Sequence, residues 1–151
     1  MLILSIESQI GYLISQKVIE YLAKRPSLMF IIRDHIDGKE HMDIVLGDEN
    51  YCIDLFTTSV RNFNEFINTP EKEFLGIGKE RNGEVYFNTR IGKINKEDTY
   101  TWINRCRGKA YMKEGKLSFR LKVTYPIDLK GKEFKIWAFD SKDGKKQWVM
   151  L

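Results

Sequence analysis

Five cations at alternate positions of one segment form the clearest chemical pattern in the chain: Arg105, Arg107 and Lys109, then Arg120 and Lys122. Read as a β-hairpin, residues Ile103 to Met112 and Leu117 to Tyr125 are strands joined by Lys113-Glu114-Gly115-Lys116. That loop sets Met112 opposite Leu117, Ala110 opposite Phe119, Gly108 opposite Leu121 and Cys106 opposite Val123 on one apolar face. The other face then pairs Tyr111 with Ser118, Lys109 with Arg120, Arg107 with Lys122 and Arg105 with Thr124. Like charges directly opposed on a sheet destabilise it, so such a ladder implies something negative to set against it. Repeated cations on a sheet face match phosphates along a strand, with affinity supplied by counterion release, and nearby aromatic rings stack on bases. Tyr111 has the right parity for stacking.

Other residues extend or compete with this reading. Lys79, Tyr86 and Arg90 share the polar face of a second hairpin, in which Asn82-Gly83 joins Phe74–Arg81 to Glu84–Ile94. In a final hairpin turned at Asp143-Gly144, one face carries Ile136, Ala138, Val149 and Leu151, the other Trp137, Phe139, Trp148 and Met150. Core burial is the ordinary fate of such aromatics; exposed, Trp137, Phe139 and Trp148 would make a stacking platform or a protein interface. The segment from Arg33 to Asp43 gathers both histidines with several carboxylates, setting Asp34 opposite His41 and His35 opposite Glu40. Imidazole and carboxylate suit a divalent metal, but the spacing matches no metal motif, and cross-strand His–carboxylate pairs explain it. Cys52 and Cys106 fall in apolar strands, where thiols are inert packing, and Gly76-Ile77-Gly78-Lys79 opens no helix. No catalytic residue, metal or cofactor is expected.

These groups must be held by short elements. Ile6 to Lys24 reads as an amphipathic helix with its apolar stripe at Ile6, Ile10, Leu13, Ile14, Val18, Tyr21 and Leu22, ended by Pro26. Its stripe covers the core or, alternatively, forms a dimer contact. An acidic β-meander follows over 28–56, with Asp37-Gly38 turning Leu28–Ile36 into Lys39–Leu46, and Tyr51–Phe56 after it. Val60, Phe63, Phe66 and Ile67 fall at helical spacing, giving a short helix over 59–68 closed by Pro70. From 74 to 151 the chain reads as β throughout. Gly76, Gly83, Val85, Phe87 and Ile91 are echoed thirty-two residues later by Gly108, Gly115, Leu117, Phe119 and Val123, as a duplication or two like hairpins would give.

At 151 residues, with 42% hydrophobic and 13% aromatic content, the chain suits one domain with a core of its own. The fold class expected is α+β, mostly β: a curled antiparallel sheet or OB-like, partly closed barrel, with an N-terminal amphipathic helix and one short internal helix. Three strands, a helix and further strands resembles the OB-fold plan in element order alone. Two distant cysteines suggest a reducing, cytoplasmic setting, and no signal peptide or membrane span is expected. Abundant Lys, Ile and Asn suggest an AT-rich genome, as in a low-GC bacterium, phage or plasmid. The net charge of +4 conceals a division: residues 1–75 hold seven Lys or Arg against twelve Asp or Glu, and residues 76–151 hold eighteen against nine. That asymmetry points to nucleic acid, single-stranded in preference, unless the acidic half neutralises the basic one within the fold. A protein-interaction or inhibitory module of a mobile element is the alternative, and a small anion held inside a closed barrel is a third.

Overall fold

The structure, a computed structural model, describes residues 16–25, 27–36, 41–57, 60–68, 72–74, 76–88, 90–97, 100–112, 118–140 and 146–150; within these, side chains of 72–81, 137–150 and a few others are not described. The elements run α1 (Gln16–Ala23), β1 (Leu28–His35), β2 (Met42–Gly47), β3 (Cys52–Thr57), α2 (Phe63–Ile67), β4 (Lys72–Phe74) and β5 (Gly76–Arg81). Then come α3 (Glu84–Phe87), β6 (Ile94–Glu97), β7 (Tyr100–Met112), β8 (Ser118–Tyr125), a 3-10 turn (Ile127–Leu129), β9 (Glu133–Asp140) and β10 (Lys146–Met150). Of the expected first helix, Gln16–Ala23 is helical, and its earlier residues lie outside the described ones. Among the described residues no helix is long and apolar enough to cross a membrane.

The ten described strands form one antiparallel sheet in the order β4-β10-β9-β8-β7-β1-β2-β3-β5, with β6 also paired to β7. Its two ends are neighbours in the chain, because only residue 75 separates β4 from β5. Laid flat, nine strands would span roughly 38 Å between edges. Phe74 and Gly76 are no more than about 7.6 Å apart along the backbone, so the sheet must curl until its edges approach. No pairing joins β4 to β5, so the ladder is not closed.

The inner face holds the main core. Leu28, Phe30 and Ile32 of β1 pack with Ile44, Leu46, Ile53, Leu55, Phe119, Leu121 and Val123, each from alternate strand positions. The short helix α2 plugs this core. The Asn62 side chain accepts the Glu65 amide at 2.9 Å and starts the helix. Phe66 then reaches Phe134 of β9 (ring centroids 5.0 Å), while the Phe63 amide donates to Asp34 of β1 at 2.7 Å. Gly108 lets β7 and β8 come together, since a Cβ there would strike the carbonyl oxygen of Lys122 and stand 2.7 Å from the Phe30 ring.

The outer face carries a second, smaller core where the sequence pattern suggested strand. Asn82-Gly83 does not turn a hairpin: the Asn82 side chain accepts the Glu84 amide at 3.0 Å and residues 84–87 wind into α3. Tyr86 and Phe87 then bury against Ile31, Val45 and Cys52, and β5 pairs with β3 instead. Burial of two aromatic rings overrides an alternating pattern that was equally compatible with a strand. The thirty-two-residue echo has no structural counterpart, because 84–87 is helical and 118–125 is extended.

Two more hairpins shift by one residue. Asp34 stands opposite Met42 and Arg33 opposite Asp43, with the His35 amide donating to the His41 carbonyl. His35 therefore meets His41 (ring centroids 4.6 Å), not Glu40, and Asp34 does not meet His41. In the last hairpin Trp148 pairs with Ala138 rather than Phe139, and Trp137 pairs with Val149. A one-residue slip exchanges the faces of one strand relative to the other, so Trp148 no longer shares a face with Trp137 and Phe139. Whether these three aromatics are buried or exposed lies outside the described side chains.

Asp48 fastens α1 to the turn between β2 and β3. Its Oδ2 accepts the Tyr21 hydroxyl at 2.7 Å, and its Oδ1 accepts the amides of Asn50 and Tyr51 at 2.8 and 3.0 Å. Burial pushes its carboxyl up, but these hydrogen bonds and Arg25 outweigh burial and hold it below the ordinary value of an aspartate. Folding thus favours the ionised form. The stability it contributes is complete above about pH 4 and is lost as pH falls through the lowered native value. Asp48→Ala is expected to cost about 2 kcal/mol in urea unfolding at pH 7, with the difference from the parent shrinking towards about pH 2. An equal difference at both pH values would contradict this assignment.

Candidate nucleic-acid interface

The outer face of β7, β8 and β9 carries the cationic row. β8 is displaced by two residues from the expected register, so Met112 stands opposite Phe119, Ala110 opposite Leu121 and Gly108 opposite Val123. An even shift keeps every side chain on its face. Phe119, Leu121, Val123, Ala110 and Cys106 are buried, whereas Lys109, Tyr111, Arg120 and Lys122 are exposed. Burial pushes the Cys106 thiol up to about 12, which leaves it un-ionised packing.

The pairs themselves change. Lys109 faces Lys122, and Tyr111 faces Arg120, whose guanidinium carbon lies 5.2 Å from the Tyr111 ring centroid. Across β8, Lys122 faces Glu133 and Arg120 faces Lys135 on β9. Glu133 approaches Arg120 at 3.9 Å, an exposed ion pair that contributes little. Lys109, Arg120, Lys122 and Lys135 thus form a field of four cations around the single carboxylate of Glu133 over three adjacent strands.

Two bulges reshape the end of the ladder. Between Arg107 and Gly108 the register shifts, so Arg107 stands opposite Tyr125, and the Thr124 hydroxyl donates to the Arg107 carbonyl. Tyr125 thereby joins the outer row, half exposed at 50%, with Tyr111 at 42% on the opposite corner. The two rings sit about 14 Å apart along the strands. Arg107 is partly buried, its Nη2 donating to the Phe87 carbonyl at 2.8 Å. A second shift, between Ile32 and Arg33 on the β1 side, leaves Arg105 as the extra residue of β7. Bulges re-aim side chains. Arg105 turns to Asp34 of β1, Nε to Oδ2 at 2.9 Å, and does not pair with Thr124. Among the described residues one acidic residue of the first half, Asp34, thus partners the ladder, at this end.

The remaining predicted residues lie elsewhere. Tyr86 lies in α3 and is buried against the sheet, with the Arg33 guanidinium 4.4 Å from its ring centroid, and presents no stacking surface. Arg90 is exposed in the segment before β6, and Lys79 is in β5 opposite Asp54, five strands from β8 along the ladder. Trp137 stands opposite Ser118 in register, next in line after Lys135. Tyr125 and Lys135 escaped the sequence reading. Lys135 had a signal, the alternation of Glu133 and Lys135 with Phe134 and Ile136; Tyr125 had none, because its place depends on a bulge.

Beneath α3 the outer face holds a buried charge cluster. Arg33 Nε donates to Asp43 Oδ1 at 2.8 Å, Asp54 lies 4.0 Å from its Nη2, and the guanidinium lies over the rings of both Tyr86 and Trp102. His35 and His41 pack on Trp102 as rings. Among the described residues no three His, Cys, Asp or Glu side chains converge on a metal site.

Set beside known proteins, the chain matches no family model, no curated protein and no solved structure, so its function must be argued from this face and these residues.

Proposed function

We propose that this protein is a non-enzymatic, barrel-like module of the cytoplasm that binds single-stranded nucleic acid across the outer face of β7, β8 and β9. The observation that carries the reading is the Lys109–Lys122 cross-strand pair, a repulsive contact flanked by two more cations and by an exposed tyrosine at each end. A folded sheet gains nothing from opposing two lysines, whereas a phosphate chain across them relieves the repulsion and releases counterions. Tyr111 and Tyr125 supply rings on which unpaired bases stack. Bases inside a duplex are already stacked on one another, so rings standing on a sheet favour a single strand.

Tyr111→Ala and Tyr125→Ala are each expected to weaken binding of a single-stranded oligonucleotide by about 1 to 3 kcal/mol. They are expected to leave the weaker, charge-driven binding of a duplex of equal length nearly unchanged. Equal losses on both ligands, or no loss, would remove stacking from the account. A second reading, a protein-interaction module, is favoured by the apolar projection at Tyr125-Pro126-Ile127, where Ile127 is 78% exposed. A partner held there would survive nuclease and high salt, and phosphate contacts would not.

A further inference from the structure

The second bulge does more than shorten the ladder, because it delivers Arg105 to a cleft of about 530 Å³ between the ends of β1 and β7 and the helix α2. Asp34, Arg105, Arg61 and Asn64 supply polar lining, and Ile36 and Ile67 an apolar side. Concave sites of this size that mix an apolar wall with a few placed polar groups are where small ligands bind.

Arg105 is held for such a task. Asp34 uses Oδ1 for the Phe63 amide and Oδ2 for Arg105 Nε, so only the Nε side of the guanidinium is engaged. Arg105 remains 45% exposed, and its Nη groups make no hydrogen bond among the described residues. Burial pushes the Asp34 carboxyl above its ordinary value, and the Phe63 amide and the Arg105 guanidinium oppose that shift by favouring its ionised form. An arginine fixed through Nε presents a planar pair of Nη donors, the geometry that takes two oxygens of a phosphate.

We propose that this cleft binds a phosphorylated ligand of mononucleotide size, its phosphate on the Nη groups of Arg105 and its ring against Ile36 and Ile67. Two sources carry that chemistry, a free nucleotide and the phosphorylated end of a strand lying on the outer face. Arg105 is about 13 Å along β7 from Lys109. The cleft binds a free nucleotide whether or not the outer face binds nucleic acid.

The test is an amide NMR titration of the full ¹⁵N-labelled chain with adenosine 5′-monophosphate and, separately, adenosine. The phosphorylated ligand is expected to move the amides of Asp34, Ile36, Asn64 and Arg105 saturably, and adenosine to bind about tenfold more weakly or worse. Arg105→Gln is expected to weaken the nucleotide about tenfold or more. Because that change also disturbs Asp34, Asn64→Asp gives the same reading from an exposed position that leaves the Asp34–Arg105 pair intact. Lys109→Glu with Lys122→Glu is expected to leave nucleotide binding unchanged, which separates this site from the outer face. A short oligonucleotide with a 5′-phosphate binding better than its 5′-hydroxyl form, with the gain lost in Asn64→Asp, assigns the strand end; equal affinities assign the free nucleotide. Equal binding of nucleotide and nucleoside, no effect of Asn64→Asp, or shifts confined to the Lys109 and Lys122 face would overturn the proposal.

Discussion

Lys109→Glu combined with Lys122→Glu is expected to lower the affinity for a single-stranded oligonucleotide at least roughly 25-fold at about 0.1 M salt, while the protein stays folded. Each cation–phosphate contact on a single strand releases about 0.7 counterion, which makes it worth roughly fivefold at that salt, and two are lost. The new carboxylates also repel the strand, so the figure is a lower bound. The Lys109–Lys122 pair is like-charged before and after, and the one contact that turns from attraction to repulsion, Lys122 with Glu133, is an exposed cross-strand pair of about 0.2 to 1 kcal/mol, too small to unfold the protein. Lys109→Glu alone converts that pair into an attraction, with only Met29 on its other side, and is expected to raise stability by about 0.2 to 1 kcal/mol. Stability gained on removing a positive charge, with binding lost, is the signature of a surface kept for a ligand rather than for the fold. Unchanged oligonucleotide affinity in the double variant would move the site away from this face.

Arg33→Ala is expected to destabilise the protein by about 3 to 5 kcal/mol, a large part of the roughly 5 to 15 kcal/mol that holds a domain of ordinary stability. Arg33 is 2% exposed, and Asp43 and Asp54, which it faces, are fully buried. Truncation removes the cation between two buried carboxylates and opens a void between Tyr86 and Trp102. The pair's own worth is smaller than this loss, because most of the cost lies in the buried negative charge left behind. Arg33→Met with Asp43→Asn and Asp54→Asn should therefore recover a substantial part of the stability, as urea midpoints at constant slope would show. A single-variant loss below about 1 kcal/mol would mean that water reaches the cluster, contrary to the burial observed.

The parts of this architecture legible in the sequence are those that depend on parity. Alternation along 103–112 and 117–125 placed Phe119, Leu121 and Val123 inside and Lys109, Arg120 and Lys122 outside, and a two-residue displacement leaves that division intact. Helical spacing found Val60, Phe63 and Phe66, all buried, although the helix starts at the Asn62 cap rather than earlier. What depends on register was not legible. A loop longer by one residue brought Arg33 opposite Asp43 and His35 opposite His41, and so hid the buried ion cluster behind a reading of His–carboxylate pairs. Asn82-Gly83 serves a hairpin or a helix start equally well, and only the outer-face hollow over Ile31, Val45 and Cys52 decides for α3. The bulges that send Arg105 to Asp34 and bring Tyr125 to the outer row leave no local mark, since a bulge is a mismatch between two paired strands and not a property of either alone.

The central claim, a phosphate-binding outer face, is tested most directly by the salt dependence of binding to a fluorescently labelled single-stranded oligonucleotide. With Lys109, Arg120, Lys122 and Lys135 each meeting a phosphate, log K should fall linearly with log salt at a slope of about −3. Binding that is absent at low salt, or present with a slope near zero, would contradict the account.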